Sequence, residues 1–136
     1  MKVRDLMSPE VATVFRNDQL AIADDVMRLG RIRHTPVIDE TTGEVVGVLS
    51  QRDLFRGALA RALGYGQHAQ QKMLGMLLVK DVMTTNPVTV GPDVPIADAA
   101  RTMLERKLGC LPVVENGKLV GILTEGDFVR LATETR

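Results

Sequence analysis

The sequence predicts an α/β fold of the α+β type, in which two β-α-β-β-α repeats pack together. The first observation is an internal repeat: a shift of 76 residues aligns 3–40 with 79–116 at 10 identities in 38 pairs. A shift of 74 residues then aligns 43–58 with 117–132 at 7 identities in 16 pairs. The second observation is that both copies alternate strand-like and helix-like patterns in the same order. Because a unit of this size buries little surface alone, the copies are expected to pack on each other.

Each copy is expected to begin with a short strand and an amphipathic helix. The apolar stretches VATV at 11–14 and PVTV at 87–90 are typical of strands. In LAIADDVMRL and PIADAARTMLERK, apolar residues recur at helical spacing. Each of these two segments therefore predicts a helix with one buried face.

Each copy is then expected to form a hairpin and a second helix. The β-branched runs TPVID and VVGVLS are separated by a TTG turn, and LPVVE and LVGILT by an NG turn. Such turns between apolar runs favour hairpins. Second helices are predicted from about Gln51 and from about Glu125.

The repeat divides the chain into 1–60 for the first copy, 61–78 for a helical linker and 79–136 for the second copy. Within the linker, the apolar residues Met73, Leu74, Leu77 and Leu78 form a stripe. We interpret this stripe as a helix packed on its own domain. The alternative is a surface that faces a partner.

Composition excludes several classes of protein. Lys plus Arg and Asp plus Glu both total 17, so the net charge is zero, and aromatic residues make up only 3%. Nucleic-acid binding is therefore not expected, since it depends on cations and stacking side chains. No apolar run approaches the roughly 20 residues of a membrane span. The start MKVRDLMSPE lacks a signal-peptide core, and the single cysteine, Cys110, fits a reducing compartment, so a cytoplasmic location is expected.

The sequences GVLSQRD at 47–53 and GILTEGD at 121–127 place a hydroxyl and an aspartate at the start of each second helix. One interpretation is structural: Ser or Thr at the N-cap with an acid three residues later resembles a capping box. The other is functional, because a strand that leads into a helix N-terminus offers free N–H groups to phosphate. An acidic residue there can accept hydrogen bonds from ribose hydroxyls. The two interpretations are compatible.

Other motifs do not indicate catalysis. The sequence GYGQHA at 64–69 lacks the preceding strand of a dinucleotide fingerprint, and we interpret it as a helix break. The two histidines, His34 and His68, and Cys110 show no metal-ligand spacing. No serine or cysteine has an evident base and orienting acid. We therefore predict neither a catalytic residue nor a metal site, and the protein is not expected to be an enzyme.

The repeated motifs resemble the CBS domain, named after cystathionine β-synthase, and the whole chain resembles a tandem pair, called a Bateman module. The matching pieces are VRDLM and VKDVM, the first strands, the TPV and LPV strands, and GVLSQRD and GILTEGD. The resemblance implies that the two CBS repeats pack with pseudo-twofold symmetry. It also implies two clefts for regulatory ligands such as AMP, ADP, ATP or S-adenosylmethionine, with no catalytic cofactor.

The resemblance assigns residues of both repeats to each cleft. Cleft 1 would use Thr124, Gly126, Asp127, Met7, Ala12, Ile32, Arg33 and His34. Cleft 2 would use Ser50, Arg52, Asp53, Met83, Val88, Leu108, Gly109 and Cys110. In relatives, the helix-start aspartate holds ribose, the hydroxyl meets ribose or phosphate, and residues near the strands enclose adenine.

The predicted clefts differ in charge. Arg33 and His34 in cleft 1 correspond to Gly109 and Cys110 in cleft 2. A charge-assisted contact from arginine to phosphate contributes about 1.5–3 kcal/mol. We therefore predict that the cleft of Asp127 is the better nucleotide site. The alternative is that Arg31, Arg33 and Arg52 are solvated surface charge and that His34 caps a strand edge.

The sequence thus predicts a regulatory module that senses an adenosine compound, for example in energy sensing, and signals to a regulated protein by conformational change. Relatives stack two modules into a homodimer, so the helices and the linker stripe are expected contact surfaces. The alternative is a homodimerising scaffold that binds no nucleotide. No membrane association is expected.

Overall fold

The computed structural model describes residues 1–62 and 75–134, which belong to two compact units. The first-repeat unit consists of Ala12–Pro87. The second-repeat unit combines Met1–Val11 with Val88–Arg136. The prediction of an α/β fold with two β-α-β-β-α repeats is confirmed.

The first-repeat unit is a four-stranded sheet covered by helices. Its elements are β1 (Val14–Phe15), α2 (Leu20–Gly30), β2 (His34–Ile38), β3 (Val45–Ser50), α3 (Gln51–Ala62), α4 (Val79–Val82) and β4 (Thr84–Thr85). The strand order is β1-β2-β3-β4, with β1 parallel to β2 and the other pairs antiparallel. The apolar face of α2, formed by Leu20, Ala23 and Met27, packs with Val37 and Leu49 of the sheet. The apolar residues that recur at helical spacing in this segment therefore form the buried face of the helix.

The second-repeat unit contains a hairpin and three helices among the residues described. Its elements are α1 (Val3–Leu6), α5 (Ile96–Arg106), β5 (Cys110–Glu115), β6 (Lys118–Thr124) and α6 (Glu125–Glu134). Asn116 and Gly117 join the two strands with φ of 54° and 79°. Positive φ at both central residues is typical of the tight turn that matches strand twist, so the predicted hairpin is confirmed.

The first strand of the second copy is shorter than the sequence predicts. In place of a strand at 87–90, the structure has one parallel bridge between Val90 and Val113. In the first copy, the N–H group of Arg16 extends the corresponding ladder by donating to the Ile38 carbonyl, at 3.1 Å. In the second copy, the residue equivalent to Arg16 is Pro92. Because proline has no N–H group, the ladder of the second copy ends there. In the first copy itself, strand β1 begins only at Val14.

The opening segment of each repeat packs on the other repeat's unit. Ser8 forms an antiparallel bridge with Ile122 of β6, and the N–H group of Val3 donates to the Val94 carbonyl at 2.9 Å. Likewise, Thr85 of β4 pairs with Gly47 of β3. The compact units therefore do not coincide with the sequence repeats, and the boundaries at 60 and 79 stay a prediction about the repeats.

Most of the predicted helical linker, 63–74, lies outside the described residues, including GYG, His68, Met73 and Leu74. Leu77, the third residue of the stripe, is described and buried in the core of the first-repeat unit. Its carbonyl accepts the N–H group of Leu20 at 2.7 Å. Leu77 therefore packs on its own domain and is not part of a contact surface. Among the described residues, no helix has both the length and the apolar character needed to cross a bilayer.

Candidate functional site

The first candidate motif joins strand β3 to helix α3. The hydroxyl of Ser50 accepts the N–H group of Asp53 at 2.9 Å. In return, the N–H group of Ser50 donates to the Asp53 carboxylate at 3.3 Å. This reciprocal pair is the capping box that the sequence suggests, and it stabilises the start of α3. Asp53 is half-buried.

The second candidate motif joins strand β6 to helix α6 and is more tightly bonded. The carboxylate of Asp127 accepts the N–H group of Thr124 at 2.8 Å and the Thr124 hydroxyl at 3.2 Å. Its other oxygen accepts the guanidinium of Arg130 at 2.7 Å. Asp127 is only 4% exposed. The ion pair compensates for this burial, because a buried carboxylate is costly without a partner.

The residues that precede the second strands lie beside the motif of their own repeat. In the first-repeat unit, His34 is the register partner of Ser50, and the Arg33 carbonyl accepts the N–H group of Gln51 at 2.8 Å. The structure therefore brings Arg33 and His34 together with Ser50 and Asp53. Their assignment to the cleft of Asp127 stays a prediction.

The second-repeat unit repeats this arrangement. Cys110 is the register partner of Thr124, and the Gly109 carbonyl accepts the N–H group of Glu125 at 3.2 Å. Leu108 packs against the core of the same unit, as does Val88. The role of both residues as aliphatic walls of a ligand cleft, which the family resemblance implies, stays a prediction.

Two methionines cover glycines of the strands that carry the motifs. A Cβ atom at Gly47 would lie 2.6 Å from the sulfur of Met83, and one at Gly121 would lie 2.6 Å from the sulfur of Met7. Each glycine is three residues before the motif hydroxyl. The structure therefore places Met83 in the unit of Asp53, and Met7 in the unit of Asp127. The role of both methionines in a ligand cleft stays a prediction.

Ala12, Ile32, Arg52 and Gly126 complete the predicted site residues. The Ala12 carbonyl accepts the hydroxyl of Thr35 at 2.7 Å, which secures the chain before β1. Thr35 is fully buried and is a residue that sequence reasoning missed, although its polar side chain in an apolar strand is a signal. Ile32 packs against the core of the first-repeat unit, Arg52 is exposed on the first turn of α3, and Gly126 occupies the equivalent place on α6.

The fold and the paired helix-start motifs define a module of two tandem β-α-β-β-α repeats. Residues 3–60 and 79–134 match the family model of the CBS domain, so the chain belongs to the CBS-domain family. The family predicted from the repeated motifs is therefore confirmed.

Relatives with this fold include proteins solved with adenosine compounds. The structure of CBSX2 in complex with AMP, a protein of Arabidopsis thaliana, is 33% identical, with a TM-score of 0.79 and coverage of 98% of this chain and 96% of that chain. The CBS domain pair of MJ0100, in complex with 5′-methylthioadenosine and S-adenosyl-L-methionine, is 27% identical with a TM-score of 0.80. The alignment with that pair covers 100% of this chain and 98% of the other.

A further relative is an enzyme of which this chain resembles only a part. Inosine-5′-monophosphate dehydrogenase from Korarchaeum cryptofilum is 34% identical over 87% of this chain. The chain spans only 21% of that enzyme, so the similarity does not extend to the whole dehydrogenase. The family match concerns the CBS repeats alone.

Cys110 offers a test of the packing beside Thr124. Burial raises the pKa of the Cys110 thiol from 9.0 to about 12. At pH 8 we expect iodoacetamide to alkylate the native protein at least about a hundredfold more slowly than the unfolded chain, because the thiolate is the reactive form. Alkylation at the same rate in both states would contradict the burial.

The same shift predicts a loss of stability at high pH. The unfolded thiol ionises above about pH 9, whereas the native thiol stays protonated up to about pH 12. The unfolded state therefore loses its proton first, and the contribution of Cys110 to the free energy of unfolding falls across this range. Comparison with Cys110→Ser, measured by denaturant titration at each pH, isolates this contribution because serine does not titrate there.

Proposed function

We propose that the protein is a regulatory module that binds an adenosine-containing ligand, such as AMP, ADP, ATP or S-adenosylmethionine, and signals by conformational change. The observation that carries this proposal is the doubled helix-start motif, Ser50 to Asp53 and Thr124 to Asp127. Each motif combines a hydroxyl, an acidic side chain and a helix N-terminus, which together suit ribose and phosphate. The relatives solved with AMP and S-adenosyl-L-methionine support the class of ligand.

Within this proposal, the aspartates accept hydrogen bonds from ribose hydroxyls. Met7 and Met83, which pack against the motif strands at Gly121 and Gly47, contact the base. Arg33 and Arg52 are exposed cations that can meet phosphate. The pairing of each aspartate with residues of the other repeat rests on the family resemblance. A ligand shifts the module between two states only by the difference in its affinity for them.

The proposal includes a homodimer in the cytoplasm that acts on a regulated protein and performs no catalysis itself. Exposed apolar side chains on the helices support self-association. Phe55 on α3 and Val129 on α6 occupy equivalent positions of the two repeats and are 59% and 66% exposed. Leu29 on α2 and Leu104 on α5 are 77% and 81% exposed. Such residues favour association when they are covered by a second surface.

Calorimetric titration with AMP, ATP, S-adenosylmethionine and NADH tests the proposed function. We expect heat from at least one adenosine compound and a higher midpoint of thermal unfolding, because a ligand that binds only the native state stabilises it. A mass spectrum of small molecules released from freshly purified protein would identify a ligand retained from the cell. The proposal fails if no compound produces heat or a thermal shift.

The second candidate function is a homodimerising scaffold without nucleotide. One observation favours it: the polar groups of both motifs are already bonded within the motif, Ser50 with Asp53 in a reciprocal cap, and Asp127 with Thr124 and Arg130. In that case the hydroxyls and aspartates stabilise α3 and α6 only. The same titration separates the two functions, since the scaffold would associate normally and bind none of the compounds.

A further inference from the structure

Each second helix carries an arginine three residues after the motif aspartate. A shift of 74 residues aligns Arg56, which follows Asp53, with Arg130, which follows Asp127. Residues three apart are neighbours on the surface of a helix, so each arginine is within reach of its aspartate. Arg130 donates to Oδ1 of Asp127 at 2.7 Å. Among the described residues, by contrast, neither Asp53 nor Arg56 forms an ion pair.

The two motif carboxylates therefore differ in how many of their acceptor positions are occupied. An ionised carboxylate oxygen accepts about two hydrogen bonds. Oδ2 of Asp127 accepts both the N–H group and the hydroxyl of Thr124, at 2.8 and 3.2 Å. Oδ1 accepts Arg130 and keeps one further acceptor position. In the first-repeat unit, Oδ2 of Asp53 accepts the N–H group of Ser50 at a longer distance of 3.3 Å.

The bonds to both oxygens fix the orientation of the Asp127 carboxylate. The terminal torsion of an aspartate side chain is otherwise broad. Because Thr124 holds one oxygen and Arg130 holds the other, rotation of the carboxylate would break bonds on both sides. A group that is fixed in advance loses less freedom when a ligand binds, which raises affinity. Asp127 is also buried, and a hydrogen bond is stronger where water competes less.

The acceptor positions that remain in the second-repeat motif suit a ligand with two hydroxyl donors. The Thr124 hydroxyl donates its only proton to Asp127, so its oxygen can only accept further hydrogen bonds. The remaining position on Oδ1 of Asp127 is also an acceptor. A vicinal diol, such as that of ribose, supplies two neighbouring O–H donors. The motif thus matches a diol in number and type of hydrogen bonds.

We propose that Arg130 is a positioning residue, which holds Asp127 for the ribose and makes this motif the more selective of the two for a vicinal diol. This role rests on the proposed function. Arg130 acts through Asp127, by fixing Oδ1, and does not itself need to touch the ligand. The family resemblance assigns no part of the cleft to it. Arg56 does not perform this role for Asp53, although the residue type and spacing are the same.

Calorimetric titration with adenosine and with 2′,3′-dideoxyadenosine measures the preference for the diol. The full chain with Asp53→Ala isolates the second-repeat motif and should prefer adenosine. Adding Arg130→Met should reduce this preference at least about fivefold, because Oδ1 is then no longer held. Arg130→Lys keeps an N–H donor and should retain most of the preference. If Arg130→Met weakens both compounds equally, or strengthens adenosine binding, the positioning role is wrong.

Two matched controls separate this role from the general loss of an ion pair. Arg101 pairs with Asp98 at the same spacing on α5, where both side chains are more than half exposed, so Arg101→Met should leave the preference unchanged. In the chain with Asp127→Ala, Arg56→Met should also leave it unchanged. An equal loss in either control would overturn the proposal. Failure of the proposed function would appear differently, as absence of adenosine binding to the wild-type protein, and would overturn this role with it.

Discussion

Replacing Gly47 with valine should lower the free energy of unfolding by about 3 kcal/mol, the upper end of the cost of overpacking. A Cβ atom at this position would lie 2.9 Å from the carbonyl oxygen of Thr84 and 2.6 Å from the sulfur of Met83. The methionine can rotate away, but the carbonyl is held by the pairing of β3 with β4. The strand or the segment that carries Met83 must therefore move. Denaturant titration and the midpoint of thermal unfolding measure this loss.

Gly30→Ala is the matched control in the same unit. The nearest atom to an added Cβ at Gly30 is 3.6 Å away, in the Ile32 side chain, which is ordinary contact. Gly30 is the last residue of α2, and alanine in a compatible helical conformation stabilises a protein by about 0.4–1 kcal/mol. The two substitutions should therefore act in opposite directions. An unchanged unfolding midpoint for Gly47→Val would show that β3 does not lie this close to the Met83 segment.

Replacing Asp127 with alanine should weaken nucleotide binding at least about tenfold, which is roughly 1.4 kcal/mol. In the proposed function the carboxylate holds the ribose, and alanine offers no acceptor. The buried environment of Asp127 adds a second effect that the sequence does not indicate. Because the carboxylate caps α6 through Thr124 and pairs with Arg130, its loss should also cost about 1–2 kcal/mol of stability. Calorimetry well below the unfolding midpoint separates binding from folding.

Two further variants serve as a control for Asp127→Ala and as a comparison between the two clefts. Glu125→Ala removes an exposed acid from the same helical turn and should leave binding unchanged. Asp53→Ala should weaken binding less than Asp127→Ala does, if Arg33 and His34 serve the cleft of Asp127 as the sequence predicts. The reverse order would assign these two residues to the aspartate of their own unit, beside which the structure places them. No effect of either aspartate would favour the scaffold.

Much of the local structure can be predicted from local patterns. Helices α2 and α5 follow from apolar residues at helical spacing, because one face of each helix must be buried. The β5–β6 hairpin follows from Asn116 and Gly117, which accept positive φ. The motif at each second helix follows from its hydroxyl and aspartate, and the capping interpretation is visible in the bonds of Ser50 and Asp53.

Other features of the site depend on contacts between distant parts of the chain. The short helices α1 and α4 cannot be predicted from the spacing of apolar residues, because each has only four residues. At the start of each of these helices, a backbone N–H group donates to an aspartate carboxylate three residues later. The pairs are Lys2 with Asp5 and Leu78 with Asp81. The ladder that starts at Val90 ends there because Pro92 has no N–H group to donate, a local signal that a pattern of apolar residues does not include.

The sequence by itself determined the repeat, the β-α-β-β-α order of the main helices and strands in each copy, the two hydroxyl–aspartate motifs and the family to which they belong. The tertiary structure alone decided which unit each opening segment joins, and so which methionine covers Gly47 and which covers Gly121. It also decided that Asp127 is buried and ion-paired with Arg130. The reason is physical: propensity and periodicity act within a few residues, whereas burial and charge clustering arise where segments far apart in the chain pack together.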